Sequence, residues 1–283
     1  MLDLWWVCLI LYLIIHTAAV QFYKLCVKDT KDDASLSVLI DIFSALSTII
    51  FLPFFKMVFP DIKILIVILI SSVFYALNDR LKLSSRKNLE VSVITILEQL
   101  SNIFLIIIGI VFLKENILIS KILGGIIILS SNMFLFYEKG KFTFNKYAVI
   151  SVISSMCIAI ALSIDVGYSN LVNLALYKTL TFALPALFIA IFEKTGFKKL
   201  KSEFKTVNKP FLILASLLTS MSVLLLLRCY ELNSITIISP LSTLTVILSI
   251  IFSYIFLKER KNLTKKIFAA IGILIGIIII SIF

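Results

Sequence analysis

Long apolar runs separated by short polar gaps dominate this chain. A helix crossing the hydrocarbon core of a bilayer needs roughly 20 apolar residues. Ten segments meet or approach that length, at about 4–24, 36–55, 62–77, 89–113, 117–137, 147–168, 174–192, 211–230, 235–257 and 266–282. The pattern predicts an all-α polytopic membrane protein with ten transmembrane helices, leaving no room for an extramembrane domain. The longest gap, 193–210, reads as a basic loop (EKTGFKKLKSEFKTVNKP). The first run carries Asp3 where a signal peptide has a basic region and shows no small-residue cleavage site. It is therefore expected to be a retained helix.

Composition strengthens this picture. Hydrophobic residues make up 60% and charged residues 15% of the 283, and the mean hydropathy is +1.10. A soluble domain is about 45–50% apolar and 25% charged, so a water-soluble enzyme, a disordered chain and a collagen-like chain are all excluded. The formal charge is +11, from 27 Lys+Arg against 16 Asp+Glu. The cations cluster in the gaps after the odd-numbered runs, which hold 21 of them. The other gaps hold only Lys56, Lys63, Lys114, Lys121 and Arg228. The excess is topological rather than a nucleic-acid footprint, and the positive-inside rule places the odd gaps in the cytoplasm and both termini outside. The four cysteines (Cys8, Cys26, Cys157, Cys229) lie in or beside apolar runs without zinc-site spacing, and read as small hydrophobes.

An internal repeat organises the runs. Residues 94–115 (ITILEQLSNIFLIIIGIVFLKE) align with 238–259 (ISPLSTLTVILSIIFSYIFLKE) at an offset of 144, with ten of 22 positions identical. Ile and Leu matches carry little weight in apolar helices. The polar agreement carries more: Thr95 with Ser239, Ser101 with Thr245, and Lys114-Glu115 with Lys258-Glu259. Tyr-x-Leu-Asn precedes each copy, at Tyr75–Asn78 and Tyr230–Asn233. The expected organisation is two five-helix repeats, 1–140 and 141–283. Five being odd, the second repeat enters the membrane upside-down. That is the inverted-repeat plan of secondary transporters, with a site at the midplane between halves.

The apolar helix, Leu-Lys-Glu turn and Gly-containing helix, present twice at half-length spacing, resemble EamA-type members of the drug/metabolite transporter superfamily. Leu113-Lys114-Glu115 is followed by Gly124-Gly125, and Leu257-Lys258-Glu259-Arg260 by Gly272 and Gly276. Lys24 matches a family lysine eight residues after a Trp-Gly, here replaced by His16-Thr17. The proline usual in the fourth helix survives only in the ninth, as Pro240. The resemblance implies a ten-helix exporter or importer of small metabolites with cytoplasmic termini, the opposite sidedness to the charge count.

Ionisable residues inside apolar runs are costly and usually face a cavity or a partner. Thr95, Glu98, Gln99 and Asn102 fall at i, i+3, i+4 and i+7, on one helix stripe; Ser239, Ser242 and Thr243 form the related stripe on the ninth run. These two stripes are expected to line a central polar cavity. Glu98 would there be a substrate-ammonium ligand, a proton carrier, or a carboxylate bonded to a neighbouring helix. His16, the only histidine, either titrates or bonds substrate, or packs. Arg228 either pairs with Glu231 or holds a substrate carboxylate, and Tyr230, two residues on, is expected among the substrate-binding residues. Asp165 is expected near a solvated helix end, and Lys178 to snorkel to an interface. Glu115 and Glu259 are expected to close helix boundaries by bonding free N–H groups of the next helix. No phosphate loop, zinc spacing or nucleophile elbow occurs, so no cofactor, metal or catalytic residue is expected. The expected function is secondary transport of a small polar or amphipathic metabolite across the cell membrane, with protons or a counter-substrate as coupling partners. A scaffold or receptor subunit and an intramembrane lipid-modifying enzyme are the alternatives. The sequence leaves the oligomeric state open.

Overall fold

A computed structural model describes residues 5–28, 30–111, 119–138, 141–142, 145–232, 238, 241–259 and 262–282. Twelve helices are described: α1 (Trp5–Val27), α2 (Asp33–Ile49), α3 (Ile62–Asn88), α4 (Val91–Glu98), α5 (Leu100–Val111), α6 (Ile119–Phe136), α7 (Lys146–Tyr168), α8 (Leu174–Phe192), α9 (Phe197–Thr206), α10 (Lys209–Leu232), α11 (Leu244–Phe256) and α12 (Leu263–Ile282). The only sheet among the described residues is the two-residue antiparallel pair Tyr137–Glu138 and Lys141–Phe142. By length and composition, α1, α3, α8, α10 and the stretch Lys146–Leu171 can each cross a membrane; α11 is a shorter apolar helix. Their outer faces carry bare apolar side chains, such as Ile66 (57% exposed) and Phe192 (80%). Such a surface is stable only against lipid.

Three sequence expectations change. The third run was expected to stop at Leu77, before Asp79 and Arg80, yet α3 continues to Asn88, about three turns further. Its charges are accommodated by partners: Arg80 pairs with Glu193 at 3.0 Å, and Lys87 with Asp33 at 2.8 Å. The loop 193–210 contains a helix, α9, whose Leu200 and Phe204 pack against α2 while its lysines stay exposed. Phe204 stacks on Phe43 with centroids 5.9 Å apart. The fourth run is interrupted at Gln99, whose N–H reaches back three residues to Ile96 O rather than four.

The ninth run is interrupted in the same way at Thr243, which aligns with Gln99 at the sequence offset of 144. The bonds at the two breaks correspond. Ser101 Oγ donates to Glu98 O at 2.7 Å, and Thr245 Oγ1 to Ser242 O at 2.8 Å.

Helix directions follow from contacts at their ends. α1 and α3 finish side by side, where Lys24 Nζ donates to the carbonyls of Arg86 and Leu89, capping the C-terminal dipole of α3. α7 begins at this same end, with Ser85 Oγ donating to Tyr147 O at 3.2 Å. α10 finishes at the other end, where Cys229 lies 3.8 Å from Trp5 O. Laterally, α1 packs along α10, α3 along α7, α2 along α8 and α6 along α12. The largest apolar core joins α4 and α6 to α7, α11 and α12 through Ile94, Leu97, Ile128, Ala148, Val246 and Ile273. Ser44, Ser216 and Ser220 let α2 and α10 approach closely, trading hydroxyl-to-carbonyl bonds of 2.8–3.5 Å.

Candidate functional site

Tyr75, Asp79, Lys82 and Arg86 follow one another at i, i+4, i+7 and i+11, a single stripe on α3 that faces the bundle. Lys82 Nζ lies 3.1 Å and Arg86 Nη2 3.4 Å from Glu98 Oε1, so one carboxylate gathers two cations. The Arg86 guanidinium also lies over the Tyr23 ring, 4.2 Å from its centroid, a contact that strengthens away from water. Beside this cluster is a cavity of about 110 Å³, walled by α1 (His16, Tyr23), α2 (Asp41, Ser44), α3, α8 (Phe182) and α10 (Thr219, Ser222). It has room for about four waters' share of liquid volume.

The predicted residues converge in part on this region. His16 lines the cavity and stacks on Tyr12, with centroids 5.2 Å apart. Tyr12 lies within electrostatic reach of both Glu98 and Tyr230. Tyr230 is hydrogen-bonded to Ser242, so residues from both halves of the chain meet here. Thr95 is buried, its hydroxyl bonded to Val91 O at 2.9 Å, and Gln99 Nε2 reaches Thr95 O at 3.4 Å. Thr243 is buried at the break before α11. Asn102 belongs to α5, with its side chain outside the described residues; Ser239, Pro240 and Glu115 also lie outside them. Arg228 stands apart near the end of α10, with Nη1 2.7 Å from Glu231 Oε2, which is the pairing alternative.

Sequence reasoning missed Asp79, Lys82 and Arg86, because these charges were counted as a cytoplasmic gap. The signal that finds them is their helical spacing with Tyr75. Asp165 and Lys178 also differ from expectation: neither is solvated or snorkelling. They are 0% and 2% exposed and lie 2.9 Å apart. Tyr75 and Tyr177 hydroxyls donate to the Asp165 carboxylate at 2.5 and 2.8 Å, and Ser71 at 3.3 Å. Two charges survive burial here because they pair with each other and with hydroxyls: the carboxylate accepts four bonds, and the ammonium donates to Asp165 and to the Tyr75 hydroxyl. Glu259 accepts from the N–H groups of Val91 (2.8 Å) and Ser92 (3.3 Å), and from the Ser92 hydroxyl (2.8 Å). It thus closes a helix start as expected, but that of α4 rather than of the helix following it. Lys266 pairs with Glu90 at the same turn. Among the described residues no group of three His, Cys, Asp or Glu side chains could hold a metal.

Residues 145–282 match the EamA-like transporter family. A solved structure, described only as "Crystal structure of protein", aligns over 95% of this chain and 95% of its own, with a TM-score of 0.60 and 14% identity, which shows a shared fold. No curated protein matches the chain.

Proposed function

We propose secondary active transport of a small polar or amphipathic metabolite by alternating access, a reading supported by the EamA-like match of residues 145–282, which points to a multi-pass membrane transporter of the drug/metabolite superfamily. The observation that carries the proposal is the cavity: ionisable groups sunk among apolar helices drawn from both sequence repeats. Intramembrane charges of this kind mark solute and ion pathways.

An inverted pair of five-helix repeats, 1–140 and 141–283, underlies the mechanism. Three features support it. The fourth and ninth runs break at equivalent residues with equivalent bonds. α1 and its counterpart α7 enter from opposite ends, as α3 and α10 finish at opposite ends. The packing partners also exchange under a shift of five runs: the first-with-eighth contact becomes sixth-with-third, while second-with-seventh and fifth-with-tenth map onto themselves. Broken helices at a repeat interface supply free backbone groups for ligands. Substrate would lie against Glu98, His16, Thr95 and Gln99 from the first repeat and Tyr230, Ser242 and Thr243 from the second, with Asn102 and Ser239 on the same two stripes. Protons or a counter-substrate would supply the driving force.

The test starts with a thermal-stability screen of the purified chain against amino acids, amines, sugars and drug-like cations, because only ligands of the folded state raise its stability. Hits are then followed by flux into proteoliposomes. At least one class should stabilise the protein and cross the membrane. Glu98→Gln should weaken binding by about 10–100-fold, the equivalent of one charged hydrogen bond of roughly 1.5–3 kcal/mol. A chain that no class stabilises and that moves none of them is not a transporter of this kind.

A further inference from the structure

We propose that Asp41 and Asp79, facing the cavity from α2 and α3, form a proton-binding site that holds one proton between them. Within the transport reading, on which this role rests, that proton is the coupling ion. Both residues line the cavity. Asp41 is 4% exposed, and its Oδ2 has no hydrogen-bond partner. Asp79 accepts one bond, from Asn78 Nδ2 at 2.9 Å. The two carboxylates thus face the same cavity from neighbouring helices. Among the described residues neither has an ion-pair partner within the bundle, since Lys82 and Arg86 both converge on Glu98.

The surroundings compensate the pair only in part: Lys82 and Arg86 on α3 and Lys178 on α8 act on Asp79 from a distance, and among the described residues none of them forms an ion pair with Asp41 or Asp79. α1 contributes His16 and Tyr23; α3 contributes Lys82 and Arg86. α4 presents Glu98, which already holds both cations. α8 turns Phe182 to the cavity, with Lys178 behind it committed to Asp165. α10 offers the neutral hydroxyls of Thr219 and Ser222. α9 brings Glu203, occupied in capping the start of α2. Around the cavity three carboxylates therefore face two cations. Two like charges facing one small cavity inside an apolar bundle cannot both stay ionised cheaply, and one proton resolves the conflict. The step is a simple association: a proton from water entering the cavity bonds to a carboxylate oxygen, and leaves again to water, with no other bond made or broken. Asp79 is three residues from Lys82 on the same helix stripe, so its protonation is felt at the Lys82–Glu98 pair.

Infrared spectroscopy of the full chain in lipid nanodiscs, with aspartate labelled by ¹³C, tests this directly. At neutral pH the wild type should show a protonated-carboxyl C=O band that shifts with the label and in heavy water. The band should vanish in Asp41→Asn and in Asp79→Asn and persist in Glu98→Gln. Where an Asn variant fails to fold, Asp79→Glu should retain a band but remove its aspartate isotope shift in part. Absence of the band from the wild type, or its survival in both Asn variants, overturns the proposal. Thermal stability in sodium chloride against choline chloride separates the ion: a sodium-specific rise in Tm that Asp41→Asn abolishes would assign the pair to a metal cation and overturn it too. The spectrum needs no solute, so failure of the proton site and failure of the transport reading are separately visible.

Discussion

At the scale of single residues, this protein shows how charge is tolerated in an apolar bundle. Asp165 and Lys178 persist at 0% and 2% exposure because they pair with each other, two tyrosines and a serine donate to the carboxylate, and Tyr75 accepts from the ammonium. Removing either partner leaves the other charge buried and unpaired. Asp165→Asn should therefore destabilise the fold by about 3–5 kcal/mol. The double variant Asp165→Asn with Lys178→Met should lose markedly less than the sum of the singles. Unfolding in mixed micelles reads both values; additive losses would mean that the two groups do not interact. The Glu98 cluster differs in kind. One carboxylate at 21% exposure gathers Lys82 and Arg86 beside an open cavity, so that site has room for exchange of partners where the Asp165 site has none.

At the scale of elements, close helix approach depends on small residues, and helix ends depend on distant side chains. A Cβ on Gly276 would stand 2.8 Å from Gly124 O and 2.7 Å from Ile128 Cγ1, and one on Gly272 would collide with Ser131. These two glycines, four apart, let α12 lie directly on α6. Gly276→Leu should push the helices apart and cost about 1–3 kcal/mol through overpacking; unchanged unfolding would show that the contact is not tight. The start of α2 is held from elsewhere in the chain: Glu203 on α9 accepts the N–H groups of Lys31 and Asp32 at 3.3 and 3.0 Å. Glu203→Ala should remove that cap, worth about 1 kcal/mol, and free α9 from the bundle end. Faster trypsin cleavage between Lys198 and Lys205, without loss of the remaining fold, is the expected readout.

At the scale of the whole molecule, the two ends of the bundle differ in charge. The end where α3 finishes and α7 begins holds α9 with its exposed lysines. On the positive-inside rule this end is expected to face the cytoplasm. A membrane-impermeant thiol reagent should then reach Lys201→Cys, in a background with the four native cysteines replaced, only from the cytoplasmic side, and Lys56→Cys only from outside. The opposite labelling pattern would invert the topology and favour the cytoplasmic termini that the family resemblance implies.

Helix existence was legible in the sequence because it depends on local composition, and the sequence similarity of residues 94–115 to 238–259 was legible for the same reason. Twenty apolar residues in a row have no stable alternative in lipid, and an offset of 144 survives in polar positions such as Ser101 and Thr245, whose hydroxyls make the same bond in both copies. Glu98 was legible as the ionisable centre of its run. Its partners were not. Asp79, Lys82 and Arg86 resemble a loop by charge alone, and only the packing of α1, α2, α4 and α10 around α3 turns that charge inward. The same holds for Asp165 with Lys178, 13 residues apart on different helices, and for Glu259 with Val91. Hydropathy registers what transfer from water costs one residue taken alone. Whether an ionisable group in the bilayer is bare, paired or facing a cavity depends on neighbours from remote parts of the chain, and these are set only when the helices pack.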